Sequence, residues 1–252
     1  MEVFNYIKKI YSEKGAFSNH ITIFSILGIM AISFNSYLSS VFGNIYGSFF
    51  DFISLNPIQN YLLLVVATMA FIFSLGFMYG FVHNVFKGEF NLPESSLSAY
   101  TIFIRMLPLF LCWSVYLVIF SLLGFSLISI TTFWFYLYFS ILICMLPFVN
   151  LIYVWFAKDF QYRKLYFSLS TIWKVFYKTL GDVIFLSAKI LLLSIIPFVL
   201  VYLMFKYSDA VNHQTVKLIL KLGALSIGIY FSNIMNYLYN MGLVKIVKEK
   251  LN

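Results

Sequence analysis

Apolar positions along this chain fall in long uninterrupted blocks rather than in alternation or on a single helical stripe. Six blocks stand out, near residues 21–41, 59–82, 100–123, 132–156, 183–205 and 218–239. Each has the length of about 20 apolar residues that a helix needs to cross a hydrocarbon core of about 30 Å. A membrane β-barrel would instead show segments of about ten residues alternating in and out. The pattern therefore predicts an all-α fold, a polytopic membrane bundle of six transmembrane helices in a single integral membrane domain over residues 1–252.

Polar positions between the blocks set the orientation. The N-terminal segment holds Lys8, Lys9 and Lys14. Lys87 and Arg105 flank the second connection, and Lys158, Arg163, Lys164, Lys174 and Lys178 crowd the fourth. Lys245, Lys248 and Lys250 lie in the tail. The remaining connections carry only Lys206, Lys217 and Lys221, while Lys189 falls inside the fifth block. Thirteen basic residues against three predict that both termini are cytoplasmic, in a multi-pass plasma membrane protein. The run after Lys14 is too long for a signal-peptide core and no small-residue cleavage pattern follows it, so it reads as an uncleaved first span.

Two cytoplasmic stretches have the period of amphipathic interfacial helices. Over 160–180, Leu165, Leu169, Ile172 and Phe176 recur at helical spacing opposite Arg163, Lys164, Lys174 and Lys178. Over 1–16, Val3, Ile7, Ile10 and Tyr11 oppose Lys8, Lys9 and Lys14 more weakly. An apolar face opposed by Lys and Arg suits the anionic headgroups of the lipid bilayer at the cytoplasmic face. The same stretches would also serve as stop-transfer anchors, or as a docking surface for a partner protein or a second copy in a homo-oligomer.

Composition sharpens the class. Of 252 residues, 62% are hydrophobic and 10% charged, against about 25% charged in soluble domains. A water-soluble fold is excluded, and no polar stretch is long enough for a large soluble domain. The net charge of +8 does not imply nucleic acid, because the aromatic residues lie inside the apolar runs rather than beside clustered basic ones. Cys112 and Cys144 fall mid-way along apolar blocks and read as small buried hydrophobes rather than a disulfide or metal pair.

Few residues inside the blocks carry chemistry. Gly76 and Gly80 form a small-xxx-small pair, which lets two helices approach closely in lipid. Pro108, Pro147 and Pro197 interrupt the third, fourth and fifth spans and predict kinks. Ser226, Tyr230, Asn233, Asn236 or Tyr237, and Asn240 keep roughly to one face of the sixth span. Asn150, beside Pro147, is their expected partner, which would make the fourth and sixth spans neighbours. Together they form a candidate polar intramembrane site, either interhelical glue or a solute path. Lys189 and Lys221 lie near span ends, where they can snorkel. Residues 80–87 and 242–248 show a faint likeness, as duplicated hairpins would.

Gly76-Phe77, then Asn84-Val85, Gly88, and Leu92-Pro93-Glu94 together resemble the signature of a prokaryotic polytopic membrane family, a domain of unknown function. Its members carry Gly-aromatic, Asn-Val, Gly and Leu-Pro-Glu after a transmembrane helix. Members often have Trp after the Glu, where this chain has Ser95. The resemblance implies a multi-span bacterial or archaeal membrane protein and no particular activity. Physically, Gly88 should end a helix extension and Pro93 enforce a turn, making residues 84–94 a structured cytoplasmic loop.

No nucleophile–base pair, zinc-binding His motif, intramembrane carboxylate pair or phosphate-cradling glycine loop is present. The expectation is a non-enzymatic protein with no catalytic residue, no metal and no cofactor. Its expected role is transporter- or permease-like, from three proline-interrupted spans and a polar sixth. The rival is a structural or partner-binding scaffold.

Overall fold

The computed structural model describes residues 57–93, 96–126 and 132–251, together with Asn5, Ile7, Lys8, Tyr11 and Ser12. The expected first span, 21–41, and Glu94 of the loop motif lie outside the described residues. Among those described, the chain is all-helical, with α1 (Pro57–Lys87), α2 (Ser96–Ser126), α3 (Thr132–Phe156), α4 (Leu169–Ala210) and α5 (Gln214–Lys250). A single 3₁₀ turn, Lys164–Phe167, stands between α3 and α4. All five α-helices are long and apolar enough to cross a membrane.

Local chemistry explains the ends. Pro57, the first described residue of α1, suits the first turn of a helix, where its missing N–H costs nothing. At the other end Gly88 adopts φ +90°, a left-handed conformation that only glycine takes without steric cost. The Gly88 N–H then bonds the Val85 carbonyl at 3.1 Å and the Glu89 N–H bonds the Asn84 carbonyl at 3.0 Å. These are the paired bonds of a Schellman stop.

Two antiparallel hairpins, α1/α2 and α4/α5, make the most extensive helix pairings. Helix α3 touches α2, α4 and α5, and α5 also packs on α1, which closes the bundle. The glycines set the first hairpin. A Cβ on Gly76 would lie 2.0 Å from the Ala99 carbonyl oxygen of α2. On Gly80 it would lie 2.2 Å from the Pro93 ring. The small-xxx-small pair is thus the surface against which α2 and the loop before it seat.

The best-packed part of the bundle is its basic end. Phe81, Val82, Met106, Leu109, Leu151, Phe156 and Val247 are all buried there, from every helix except α4, which adds Val175 and Val183. The opposite half presents apolar side chains outward, among them Leu122, Leu191, Ile196 and Phe198. That is the distribution expected of a bundle solvated by lipid over most of its length.

Residues 160–178 differ from the expected single interfacial helix. Phe160 has φ +53° and residues 160–163 are not helical. The 3₁₀ turn follows, and the amphipathic part from Leu169 runs without a break into the apolar span. The 42 residues of α4 would measure about 63 Å at 1.5 Å per residue, about twice a hydrocarbon core. Basic residues do not stop a helix; they only mark where it leaves hydrocarbon. The helix has no proline or positive-φ residue near Lys178 to end it.

Helices α2, α3 and α4 also run on through Pro108, Pro147 and Pro197. Pro108 is exposed, Pro147 half-buried and Pro197 buried.

Candidate functional site: a half-open apolar cavity with a polar end

A cavity of about 520 Å³ lies between α2, α3 and the first turns of α4. Its wall is mostly aliphatic and aromatic, with Trp113, Tyr116, Phe120, Tyr138, Leu142 and Trp173 as its larger members. Leu117, Ile141, Leu146 and Trp173 also line it and are exposed, so the cavity is open to the surroundings.

Backbone packing holds the floor in place. The Trp113 Nε1–H donates to the Tyr166 carbonyl at 3.1 Å, and the Tyr116 hydroxyl donates to the Phe167 carbonyl at 3.0 Å. The 3₁₀ turn is thereby tied to α2, and Tyr166 wedges against Trp155 and Phe156 with centroids at 5.3 and 5.5 Å. Burial pushes the Tyr166 hydroxyl up from its ordinary value, so it stays neutral. Further along, the Tyr162 hydroxyl donates to the Arg105 carbonyl at 2.7 Å, and His83 Nδ1 lies 3.0 Å from the Ala157 carbonyl. The Phe160 ring sits between His83 and Arg105, at 5.0 Å and 5.9 Å. Residues 157–168 are therefore pinned to α1 and α2.

One polar group of the expected site lines this cavity. Asn150 does so, and its Oδ1 accepts from the Tyr79 hydroxyl at 3.2 Å. The other expected members do not join it. Asn233 is buried, but its Nδ2 donates along its own helix to the Ile229 carbonyl at 2.9 Å. Asn236 is exposed and receives the Asn240 Nδ2 at 2.9 Å. Ser226 is exposed and donates to the Leu222 carbonyl. Tyr230 shares a 2.7 Å hydrogen bond with the hydroxyl of Tyr11 from the N-terminal segment. Helices α3 and α5 are neighbours, as expected, but the three asparagines do not converge at Pro147. Asn233 and Asn240 donate to carbonyls four residues back on their own helix, and Asn150 accepts from α1.

The loop motif is a self-contained brace. Asn84 Nδ2 donates to both the carbonyl and Oδ1 of Asn91, at 3.0 and 2.9 Å. Leu92 is buried, and Pro93 seats on Gly80. Sequence reasoning missed Asn91, His83 and Tyr79 as partners. For Tyr79 a signal existed: it sits between Gly76 and Gly80, on the stretch already assigned to close packing.

Comparison with known protein families, curated proteins and solved structures finds no match to this chain.

Proposed function

We propose that this chain is a multi-pass plasma membrane protein of the bacterial inner-membrane type, with six spans, both termini cytoplasmic, and a permease-like role toward an amphiphilic molecule. The open apolar cavity carries this reading. An apolar chamber with a few polar groups is the usual form of a small-molecule site. Here the exposed lining residues Leu117, Ile141, Leu146 and Trp173 are apolar, which suits a lipid-soluble chain. The basic residues gathered beside the ends of α1, α3 and α5 support the orientation. The resemblance of residues 76–94 to a prokaryotic membrane family agrees with the compartment.

A scaffold role is the second reading. It rests on the exposed aromatic and basic face of early α4, where Tyr177 is 89% exposed between Lys174 and Lys178.

Reconstitution separates the two. Vesicles containing the protein and a head-labelled fluorescent lipid are treated with dithionite, which reduces only outer-leaflet label. Permease-like action predicts protein-dependent loss of the inner-leaflet signal, abolished by Leu142→Trp, which fills the cavity. No protein-dependent loss would favour the scaffold.

A further inference from the structure

The chamber lies where two sequential helices part. Helices α2 and α3 pack on each other far less extensively than the α1/α2 and α4/α5 hairpins do. The gap is lined on one side by α3, from Tyr138 to Tyr153, a rise of about 22 Å at 1.5 Å per residue. Spread over that length, 520 Å³ leaves a mean cross-section of about 23 Å². That is room for one extended hydrocarbon chain and not for two abreast.

The lining holds no Asp, Glu, Lys, Arg or His. A charged headgroup drawn inside would lose its water and find no counter-charge, which is costly. A hydrocarbon chain meets no such penalty and gains by leaving water.

A fixed side chain closes one end. The Tyr138 hydroxyl donates to the Phe120 carbonyl of α2 at 2.6 Å. Its ring lies on Gly124, where an added Cβ would come within 2.5 Å of it. Between Phe120 and Tyr138 in the sequence, no described residue lines the chamber. The ring is thus the last surface that a chain lying along α3 would meet, and it is held both by a hydrogen bond and by a glycine seat.

We infer that the chamber takes one hydrocarbon chain of a membrane lipid, leaves the headgroup outside, and uses Tyr138 as the stop that sets the longest chain accepted. This rests on the amphiphile reading above and adds what is selected, the chain rather than the head.

The test offers full-length protein in detergent an equimolar series of saturated lysophosphatidylcholines, from lauroyl to behenoyl, and weighs the bound lipid by native mass spectrometry. Retention should climb with chain length and then fall about tenfold once the chain meets Tyr138, the scale of an overpacked contact. The matching lysophosphatidylglycerols should be retained equally and show the same cut-off. Tyr138→Ala should move the cut-off to longer chains. Tyr138→Leu, which keeps an apolar side chain over Gly124, should move it less, and Tyr138→Phe, which keeps the ring, should leave it in place. A cut-off unmoved by both Tyr138→Ala and Tyr138→Leu overturns the stop. So does retention by the parent protein that climbs through the whole series, a result that needs no variant to fold. Retention that follows the headgroup instead of the chain overturns the exclusion of the head. These results leave the amphiphile site standing where Leu142→Trp still removes the bound lipid. Retention of no chain at all, or retention indifferent to Leu142→Trp, overturns that reading as well.

Discussion

The hydroxyl of Tyr79 on α1 donates to Oδ1 of Asn150 on α3 at 3.2 Å. The bond joins two helices that are not sequential, and it orients the amide whose other end faces the cavity. It is also a polar bond between helices in lipid, where such bonds average about 0.6 kcal/mol and reach about 1.7. Tyr79→Phe and Asn150→Leu should therefore each destabilise the fold. A double-mutant cycle should return a coupling of about 0.6–1.7 kcal/mol, measured by unfolding in mixed micelles. Strict additivity of the two changes would show that the bond contributes nothing.

Gly76 of α1, Gly88 after it and Gly181 of α4 should respond differently to an added side chain. Gly76→Val drives a branched side chain into the Ala99 backbone, and overpacking costs about 1–3 kcal/mol or more. Gly88→Ala meets nothing within 4 Å, but its φ is +90°, so the cost is about 1–2 kcal/mol from conformation alone. Gly181→Ala, in open space within α4, should stabilise by up to about 1 kcal/mol. Thermal unfolding of the three variants gives the order directly, and a neutral Gly76→Val would refute the close α1–α2 seating.

Lys248 near the end of α5 places its Nζ 3.4 Å from the Val85 carbonyl and 5.6 Å from the Phe86 ring. It thus supplies positive charge to the carbonyl end of α1. Lys248→Met keeps the stem and removes the charge, and should cost about 0.3–1 kcal/mol at low salt. Raising salt should shrink the difference. A penalty that does not change with salt would point to packing instead.

The basic residues at 13 positions against three predict that reporter domains fused at either terminus are active only in the cytoplasm. Activity of a periplasm-dependent reporter at the C-terminus would reverse the assigned sides.

Hydropathy alone located α3 to the residue and brought α1, α2 and α5 within a few positions at one end or the other. It failed where the helix outlives the membrane. Lys174 and Lys178 before the fifth block, and Lys245 to Lys250 after the sixth, continue their helices, because a helix needs only its own backbone bonds. Close packing at Gly76 and Gly80 was expected from their size, but that Ala99 of α2 and Pro93 before it are what they meet was not. The partner of Asn150 was not. Periodicity tells which face of a helix a residue occupies, and it does not tell which neighbour that face meets. The cavity was equally hidden, as its walls come from three separate segments whose residues look like ordinary lipid-facing apolar positions.

Photolabelling tests the amphiphile site most directly. A phospholipid with a diazirine in its tail is activated in vesicles holding the protein, and the labelled residues are mapped by mass spectrometry. Occupancy of the chamber predicts label concentrated in residues 113–120 and 138–153, reduced several-fold by Leu142→Trp while the outer face of α4 at 191–200 is unchanged. Label spread evenly over the outward apolar faces, and indifferent to Leu142→Trp, would contradict it.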